Sequence, residues 1–149
     1  MRKILLIRTD RIGDTLLTLP VVKPIKEKWP HCKIDFLARG YTHPILENVK
    51  EINQILNYDP EGVHRGIRGH KLLATEIQQQ DYETAILFYP RLGLTFALWR
   101  AGVHRRIGTS HRWYSFLLTD RVHQSRRECL KHEVEYNLDL LKPLFQDLP

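Results

Sequence analysis

The chain has 149 residues, of which 42% are hydrophobic and 27% are charged, and its formal net charge is +6. This length suits one domain with a sizeable core and is too short for two ordinary domains. The composition is typical of a globular protein, and no apolar run approaches the roughly 20 residues that span a bilayer. Two cysteines without a motif spacing favour a reducing compartment such as the cytoplasm.

Short apolar runs alternate with helical patterns along the first half of the chain. Residues 4–7 form a continuous apolar run typical of a strand covered on both faces. Residues 13–29 have apolar positions at spacings of three or four, which predict a helix. Because Pro20 and Pro24 each remove a backbone donor, we expect a kink near Leu19 or two helical pieces. Two further strands and a short helix between them are predicted at residues 34–38, 52–56 and 44–48.

The second half continues the alternation after a stretch rich in glycine. Residues 57–69 predict a long loop, and loops of this length in a compact domain are commonly functional or mobile. The poorly patterned stretch 109–127 contains Trp113, Tyr114 and Phe116, which we expect to pack beneath a loop. The remaining predicted elements are helices at 71–80, 92–101 and 132–145 and strands at 85–89 and 106–108.

Strands that alternate with helices predict a parallel sheet with right-handed crossovers and helices on both faces, a Rossmann-like α/β sandwich of about five strands. Ligands of such sheets bind beyond the carboxyl ends of the strands. A functional site is therefore expected in the segments that follow the strands, at residues 8–14, 39–42, 59–71 and 90–92.

Positive charge is concentrated in two parts of the chain. Between residues 91 and 131 nine Lys and Arg residues accompany two acids, Asp120 and Glu128. A second, smaller cluster lies in the Gly-rich loop and consists of His64, Arg65, Arg68, His70 and Lys71. Such one-sided charge predicts an anionic partner, which could be a nucleic acid, a phosphorylated lipid or a membrane surface. The alternative is a solvated basic face with no specific partner.

The turn after the first strand carries the candidate catalytic group. Its sequence, RTDRIGD at residues 8–14, has neither the GxGxxG fingerprint nor a P-loop, so classical NAD or ATP binding is not indicated. Asp14 at the start of the next helix can act as a general base toward a hydroxyl. Alternatively, it only complements the helix dipole, which is worth ~0.3–1 kcal/mol. Positive charge from Arg8 and Arg11 is expected to keep Asp14 ionised and to weaken it as a base.

The sequence predicts neither a metal nor a cofactor. The eight histidines show no HxxxH spacing on a helix and no cysteine partner at a motif spacing. A DxD motif, which would hold a divalent metal against a diphosphate, is also absent from the sequence.

The opening of the chain resembles the heptosyltransferases of lipopolysaccharide core assembly, glycosyltransferase family 9. It reads KILLIRTDRIGDTLLTLPVVKPIKEKWPHCKIDFLARGYTHPILE. The shared features are a strand of the type (I/L)LI(R/K) that runs into a G-D pair, an apolar stretch ending in L-P, and a basic helix ending in W/F-P. Weaker matches follow at Asp81-Tyr82 through Leu87, at Ala101-Gly102, at Arg106-Ile107-Gly108 and in KHEVEYNLDLL.

The resemblance implies a GT-B architecture, in which two Rossmann-like domains enclose the active site. Residues 1–149 would form the N-terminal, acceptor-binding domain, and the donor ADP-heptose would bind a C-terminal domain absent from this chain. Transfer would be inverting and metal-independent, with Asp14 as the general base. The acceptor would be a phosphorylated lipopolysaccharide of the lipid A–Kdo type. The residues expected to bind its anionic groups are Arg11, Arg65, Arg68, Lys71 and Arg91.

The resemblance further implies a cytoplasmic protein that is peripheral to the inner membrane. This chain alone is expected to be inactive, because catalysis requires donor and acceptor to be held together. Two other functions stay open at this point. One is a basic nucleic-acid- or anion-binding module, although no helix-turn-helix, RRM or KH pattern is present and no specific nucleic acid is expected. The other is a catalytically silent domain that docks a partner or a membrane.

Overall fold

A computed structural model describes residues 2–124 and 132–146 of the chain. Six strands of these residues form one parallel sheet in the order β3-β2-β1-β4-β5-β6. The strands are β1 (Lys3–Ile7), β2 (Lys33–Ala38), β3 (Ile52–Asn57), β4 (Thr84–Leu87), β5 (Arg105–Thr109) and β6 (Asp120–Val122). The predicted Rossmann-like parallel sandwich is therefore confirmed, with one strand more than expected.

Helices cover both faces of the sheet. They are α1 (Ile12–Thr18), α2 (Val22–Lys28), α3 (His43–Leu46), α4 (Gly66–Gln79), α5 (Leu92–Ala101), α6 (Glu133–Asp139) and α7 (Lys142–Gln146). Three short 3₁₀-helices lie at Leu19–Val21, Gly40–Thr42 and Trp113–Leu117. None of the helices in the described ranges is both long enough and apolar enough to cross a membrane.

The side chains of the central strand β1 supply two separate cores, because successive residues of a strand point to opposite faces. Ile4 and Leu6 belong to one core, together with apolar residues of α2 and α7. Leu5 and Ile7 belong to the other, beneath α4 and α5. Burial on both faces explains why this strand is apolar at every position from Ile4 onward.

Several predicted elements are confirmed, and two boundaries are wrong. The predicted kink at Leu19 is a 3₁₀ turn between α1 and α2. Helix α4 starts at Gly66, five residues earlier than expected, and it includes Gly69. A Cβ atom at Gly69 would lie 2.0 Å from the carbonyl carbon of His64. The closing helix is two helices, α6 and α7, with Pro143 in the first turn of α7, where its missing N–H costs no helical hydrogen bond.

The prediction that the three aromatic residues pack beneath a loop is wrong for two of them. Trp113 and Phe116 are exposed, and Tyr114 is buried. All three lie in the 3₁₀-helix Trp113–Leu117. A 3₁₀-helix has three residues per turn, so positions 113 and 116 share one face while position 114 lies on another. The two exposed rings therefore stand side by side at the surface.

Candidate functional site

The topology places the site between β1 and β4. The chain runs outward from β1 to β2 and β3, and then from β4 to β5 and β6 in the opposite direction. The loops after β1 and β4 therefore diverge and leave a crevice at the carboxyl edge, which is where ligands of open parallel sheets bind. Asp14 lies in the first turn of α1, directly beyond β1, as predicted.

Arg8 is the central side chain of this crevice and is almost completely buried. Its Nε and Nη2 atoms donate to the two carboxylate oxygens of Asp10 at 2.7 and 2.9 Å. Its Nη2 atom also lies 3.5 Å from Oδ1 of Asp14, and its Nη1 atom lies 3.3 Å from Oε1 of Glu133. One guanidinium thus holds three carboxylates, and two of them, Asp14 and Glu133, come from different helices.

The α6 helix fixes Arg8 from the other side. Nη1 of Arg8 donates to Oδ1 of Asn137 at 3.3 Å, and the amide nitrogen of Asn137 donates to the backbone oxygen of Leu17 in α1 at 3.0 Å. Asn137 is fully buried. Asn137 and Glu133 could not be identified from the sequence, because their contacts with Arg8 span more than 120 residues of chain.

The pKa of Asp14 is raised above its ordinary value, contrary to the expectation from sequence. Partial burial is the largest cause, followed by a hydrogen bond shared with the Asp10 carboxyl group and by the negative charge of Asp10. Arg8 acts in the opposite direction, but its two-point contact is made with Asp10. The expected weakening of Asp14 as a base is therefore wrong. A raised pKa makes a carboxylate a stronger base.

Five arginines surround this carboxyl edge, and each one directly precedes a helix that follows a strand. They occupy the N-cap positions and are Arg11, Arg39, Arg65, Arg91 and Arg112. Arginine has no acceptor to offer the exposed N–H groups there, and its charge opposes the positive end of the helix dipole. Arginine therefore does not cap these helices, and we interpret the five positions as sites for an anionic ligand. Arg39 also forms an ion pair, with its Nη2 atom 3.4 Å from Oε1 of Glu61. Arg39 lies within the segment 39–42 that the sequence predicts to be functional, whereas Arg112 was not predicted to belong to the site.

The structure brings the predicted acceptor-binding residues to one edge of the sheet. Arg11 and Arg91 begin the helices beyond β1 and β4, and Arg65 begins α4. Arg68 lies on α4 and not in the predicted loop, which corrects the prediction, and Lys71 lies on α4 as the predicted helix at 71–80 requires. All five side chains are exposed. Within the described residues, their charged groups have no hydrogen-bond or ion-pair partner.

The ring of Tyr89 lies between two of the cations at the crevice. The guanidinium carbon of Arg8 is 5.8 Å from the ring centroid, and that of Arg91 is 5.4 Å away. Both distances suit cation–π attraction. Tyr89 thus helps to position Arg91 at the mouth of the crevice.

Part of the basic stretch between residues 91 and 131 has a structural role. Nε of Arg105 lies 2.9 Å from Oδ2 of Asp120, and Arg106 donates to the backbone oxygens of Val103 and Leu117, each at 2.8 Å. These two arginines bind β5 to its neighbours, which corrects the expectation that the whole stretch faces a partner. Arg126, Arg127 and Lys131 lie outside the described residues.

No metal site can be built from the residues that the structure describes. Among them, no group of three or more His, Cys, Asp or Glu side chains is arranged to hold a metal ion. The prediction of metal-independent transfer is not tested by this observation and stays a prediction.

The fold and the crevice define a Rossmann-like α/β domain with a basic ligand-binding edge. Comparison with known proteins shows which proteins of this class the chain resembles. No protein-family model matches the chain. A putative glycosyltransferase of Haemophilus influenzae is 28% identical over 146 residues, which cover 98% of this chain and 41% of that protein. Lipopolysaccharide heptosyltransferase 3 of Escherichia coli K12 is 28% identical over 143 residues, which cover 89% of this chain and 39% of that protein.

Solved structures of glycosyltransferases share the fold of this chain. A glycosyl transferase family 9 protein from Veillonella parvula superposes with a TM-score of 0.85 at 21% identity, over 96% of this chain and 41% of its own. The E. coli heptosyltransferase WaaC with ADP-2-deoxy-2-fluoro heptose superposes with a TM-score of 0.79 at 18% identity, over 99% of this chain and 50% of its own. The resemblance to glycosyltransferase family 9 is confirmed by these relatives and structural neighbours. The chain spans about two fifths of the length of the curated relatives it matches.

Proposed function

We propose that this chain is the acceptor-binding domain of an inverting, metal-independent glycosyltransferase that transfers heptose from ADP-heptose to the lipopolysaccharide inner core. The observation that carries the proposal is Asp14, a partly exposed carboxylate with a raised pKa at the switch point of the sheet. The E. coli relative that is named as a lipopolysaccharide heptosyltransferase supports the choice of sugar and acceptor.

In this proposal Asp14 is the general base. An acceptor hydroxyl attacks the anomeric carbon of the heptose, the bond from that carbon to the ADP oxygen breaks, and the hydroxyl proton moves to the Asp14 carboxylate. Arg8 and Asp10 are positioning residues, because they hold and tune Asp14 from the buried side of the crevice. Positioned general bases typically contribute about 10²–10⁴-fold to a rate.

The arginines at the carboxyl edge would bind the acceptor. Guanidinium groups pair with phosphate and carboxylate oxygens through two parallel hydrogen bonds, which suits the phosphates and acidic Kdo sugars of a lipid A–Kdo acceptor. Arg11 and Arg91 precede the helices that follow β1 and β4, the two strands beside the crevice. Arg65, Arg68 and Lys71 extend the basic edge onto α4. Acceptor capture and proton abstraction would thus use different residues.

The proposal includes a second, donor-binding domain in a GT-B arrangement, with ADP-heptose bound there. The chain alone should then show no transfer, because donor and acceptor must be held together in the cleft. It also includes a cytoplasmic location, peripheral to the inner membrane.

The acceptor half of the proposal can be tested with the 149-residue chain itself. A soluble, deacylated phosphorylated Kdo oligosaccharide is titrated into the isotope-labelled chain, and amide shifts are followed by NMR. We expect saturable shifts at Arg11, Gly13 and Arg91, with weaker binding at higher salt. The dephosphorylated oligosaccharide is the matched control and should bind more weakly. Shifts confined to residues other than these three and Arg65, Arg68 and Lys71 would refute the proposed acceptor site. Tighter binding of a single-stranded oligonucleotide than of the oligosaccharide would also refute it.

A further inference from the structure

A second feature of the carboxyl edge is an apolar groove between α4, α5 and the 3₁₀-helix that follows β5. Its main lining residues, which we call the aromatic groove, are Ile67, Leu92, Phe96, Trp113 and Phe116. The groove has a volume of about 520 Å³. This space is large enough for several methylene groups or for part of an acyl chain.

The aromatic groove exposes large side chains to water. The exposed fractions are 74% for Trp113, 73% for Ile67 and 65% for Phe116. The two rings project from the same face of their 3₁₀-helix, because they are three residues apart. A contiguous apolar surface of this kind marks an interaction site and is not needed for the packing of the domain.

The charged residues in the two segments that contain the groove are all Lys or Arg. Residues 62–75 and 84–119 contain the groove and its flanks, and they include eight Lys and Arg residues and no Asp or Glu. Five of the eight are exposed at or beside the groove and are Arg65, Arg68, Lys71, Arg91 and Arg112. Exposed tryptophan and phenylalanine bordered by arginine and lysine are the combination that binds membrane interfaces.

We propose that the aromatic groove and the basic residues beside it dock this protein onto the surface of an anionic phospholipid bilayer. Trp113 and Phe116 would insert at the level of the headgroups, and Arg68 and Lys71 would contact lipid phosphates. The positive charge beside the groove favours an anionic bilayer over a second copy of the chain as the partner. A second copy would bring like charges together, whereas an anionic bilayer provides both an apolar layer and negative charge.

The inference deepens the membrane location within the proposed function, but its failure can be distinguished from a failure of that function. Vesicle binding requires neither ADP-heptose nor Asp14. Transfer to a soluble, deacylated acceptor requires no bilayer. Either property can therefore be lost while the other is retained.

Vesicle sedimentation with the 149-residue chain tests the proposal. Vesicles of phosphatidylglycerol and phosphatidylethanolamine should bind the chain, and vesicles of phosphatidylcholine should bind it at least about tenfold more weakly. Trp113→Ala combined with Phe116→Ala should lower binding to the anionic vesicles by at least about tenfold, since the inserted apolar area is lost. Both side chains are largely exposed, so the variant should fold, which circular dichroism checks.

A matched pair of charge variants separates a docking surface from general attraction. Arg68→Gln with Lys71→Gln removes two charges from α4, and Lys23→Gln with Lys28→Gln removes two exposed charges from α2, which packs on the opposite face of the sheet. The first pair should weaken vesicle binding by about fivefold for each charge, and the second pair should weaken it much less. Equal losses from the two pairs would overturn the proposal.

The fluorescence of Trp113 tests insertion directly. Trp29→Phe with Trp99→Phe leaves Trp113 as the remaining tryptophan of the chain. Its emission should shift to shorter wavelength, and its quenching by iodide should fall, when anionic vesicles are added. Emission that is already shielded from iodide without vesicles would show that protein covers the groove, as in a dimer. That result, or an unchanged spectrum with vesicles, would overturn the proposal.

Discussion

The Arg8 guanidinium lies 3.5 Å from the Asp14 carboxylate, yet the pKa of Asp14 is raised. Partial burial is the largest cause, followed by the hydrogen bond shared with Asp10 and by the negative charge of Asp10. Arg8 acts in the opposite direction, but it directs its two-point hydrogen bonding to Asp10. The arrangement keeps a basic carboxylate close to a cation, whose lowering effect on the pKa of Asp14 is outweighed by burial and by Asp10.

Asp14→Asn should lower kcat by about 10²–10⁴-fold with little change in acceptor KM, measured in a protein that carries this chain together with a donor-binding domain. Asparagine keeps the size of the side chain but cannot accept the proton. Glu135→Gln is the matched control, because Glu135 is an exposed acid in the first turn of another seven-residue helix. Similar, small effects of both changes would mean that Asp14 only complements the helix dipole.

Asp10→Asn should shift the acidic limb of the pH–rate profile. A general base is inactive when protonated, so kcat/KM falls as the pH drops through the raised pKa of Asp14. Removing the Asp10 charge and its shared hydrogen bond lowers that pKa, so the limb should move to lower pH. Kinetic measurements between about pH 4 and 8 check the direction. A limb that moves to higher pH, or does not move, would contradict this assignment.

The same raised pKa predicts how Asp14 affects stability. The folded state binds the Asp14 proton more tightly than the unfolded state does. The contribution of Asp14 to the free energy of unfolding therefore decreases as the pH rises through the pKa of the folded state. Asparagine does not titrate. The free energy of unfolding of Asp14→Asn relative to the parent chain should therefore increase from acidic to neutral pH, which urea denaturation at several pH values measures. This is a second readout of the Asp10–Asp14 coupling, and Asp10→Asn should diminish it.

Gly13→Ala should separate stability from ligand binding. Gly13 lies in α1, its φ is not positive, and a Cβ atom there would meet nothing within 4 Å. Alanine in a helix is favoured over glycine by about 0.5–1 kcal/mol, so thermal unfolding should occur at a higher temperature. If substrate approaches the backbone at Gly13, acceptor KM should rise at the same time.

Gly102→Ala is the contrasting control for Gly13→Ala. Gly102 ends α5 with a φ of +70°, a conformation in which alanine costs about 1 kcal/mol. This change should destabilise the fold and leave KM unchanged. A Gly13→Ala protein that is stabilised and retains the parent KM would show that no ligand contacts this glycine.

Replacement of Arg65, Arg68 and Lys71 together by glutamine should raise acceptor KM in a salt-sensitive way and spare kcat. Arg65 directly precedes α4, and Arg68 and Lys71 lie on its first half. All three side chains are exposed, so they can attract anionic groups without contacting the reacting atoms. Kinetics with a soluble, deacylated acceptor at low and high ionic strength test this effect without a membrane. A loss of kcat at saturating acceptor would instead place these residues in the chemistry.

The elements that were predicted correctly from the sequence are those with a local pattern. Strand β1 and helix α5 follow from their apolar runs, and the Leu19 kink follows from its prolines. Strand β6 was missed, because Asp120–Val122 is too short to show an alternation. The role of Arg8 could not be predicted, since its partners Glu133 and Asn137 meet it only in the folded chain. The direction of the Asp14 pKa was predicted wrongly for the same reason, because burial and partner choice decide it.

A buried carboxylate in β2 gives a final prediction, which concerns stability. Asp35 is fully buried, and its Oδ2 atom accepts hydrogen bonds from the Tyr82 hydroxyl at 2.6 Å and from the Gln54 amide at 3.4 Å. Its Oδ1 atom has no partner among the described residues. Burial, together with this hydrogen bond and the charge of Asp35, raises the pKa of the Tyr82 hydroxyl. Tyr82 is therefore a neutral donor that satisfies a carboxylate within the core.

Tyr82→Phe should lower the free energy of unfolding by about 1–3 kcal/mol, because it leaves the buried carboxylate with the weaker amide contact. Asp35→Asn should cost less in the Tyr82→Phe background than in the parent chain, since no tyrosine hydroxyl remains there to lose its carboxylate acceptor. Urea denaturation of the two single variants and the double variant forms a cycle that isolates the coupling between the side chains. Phe substitution at exposed Tyr41, whose hydroxyl donates to the backbone oxygen of Asp10, controls for loss of a tyrosine hydrogen bond at the surface and should cost less. Additive effects at Asp35 and Tyr82 would show that the 2.6 Å hydrogen bond contributes no coupling to stability.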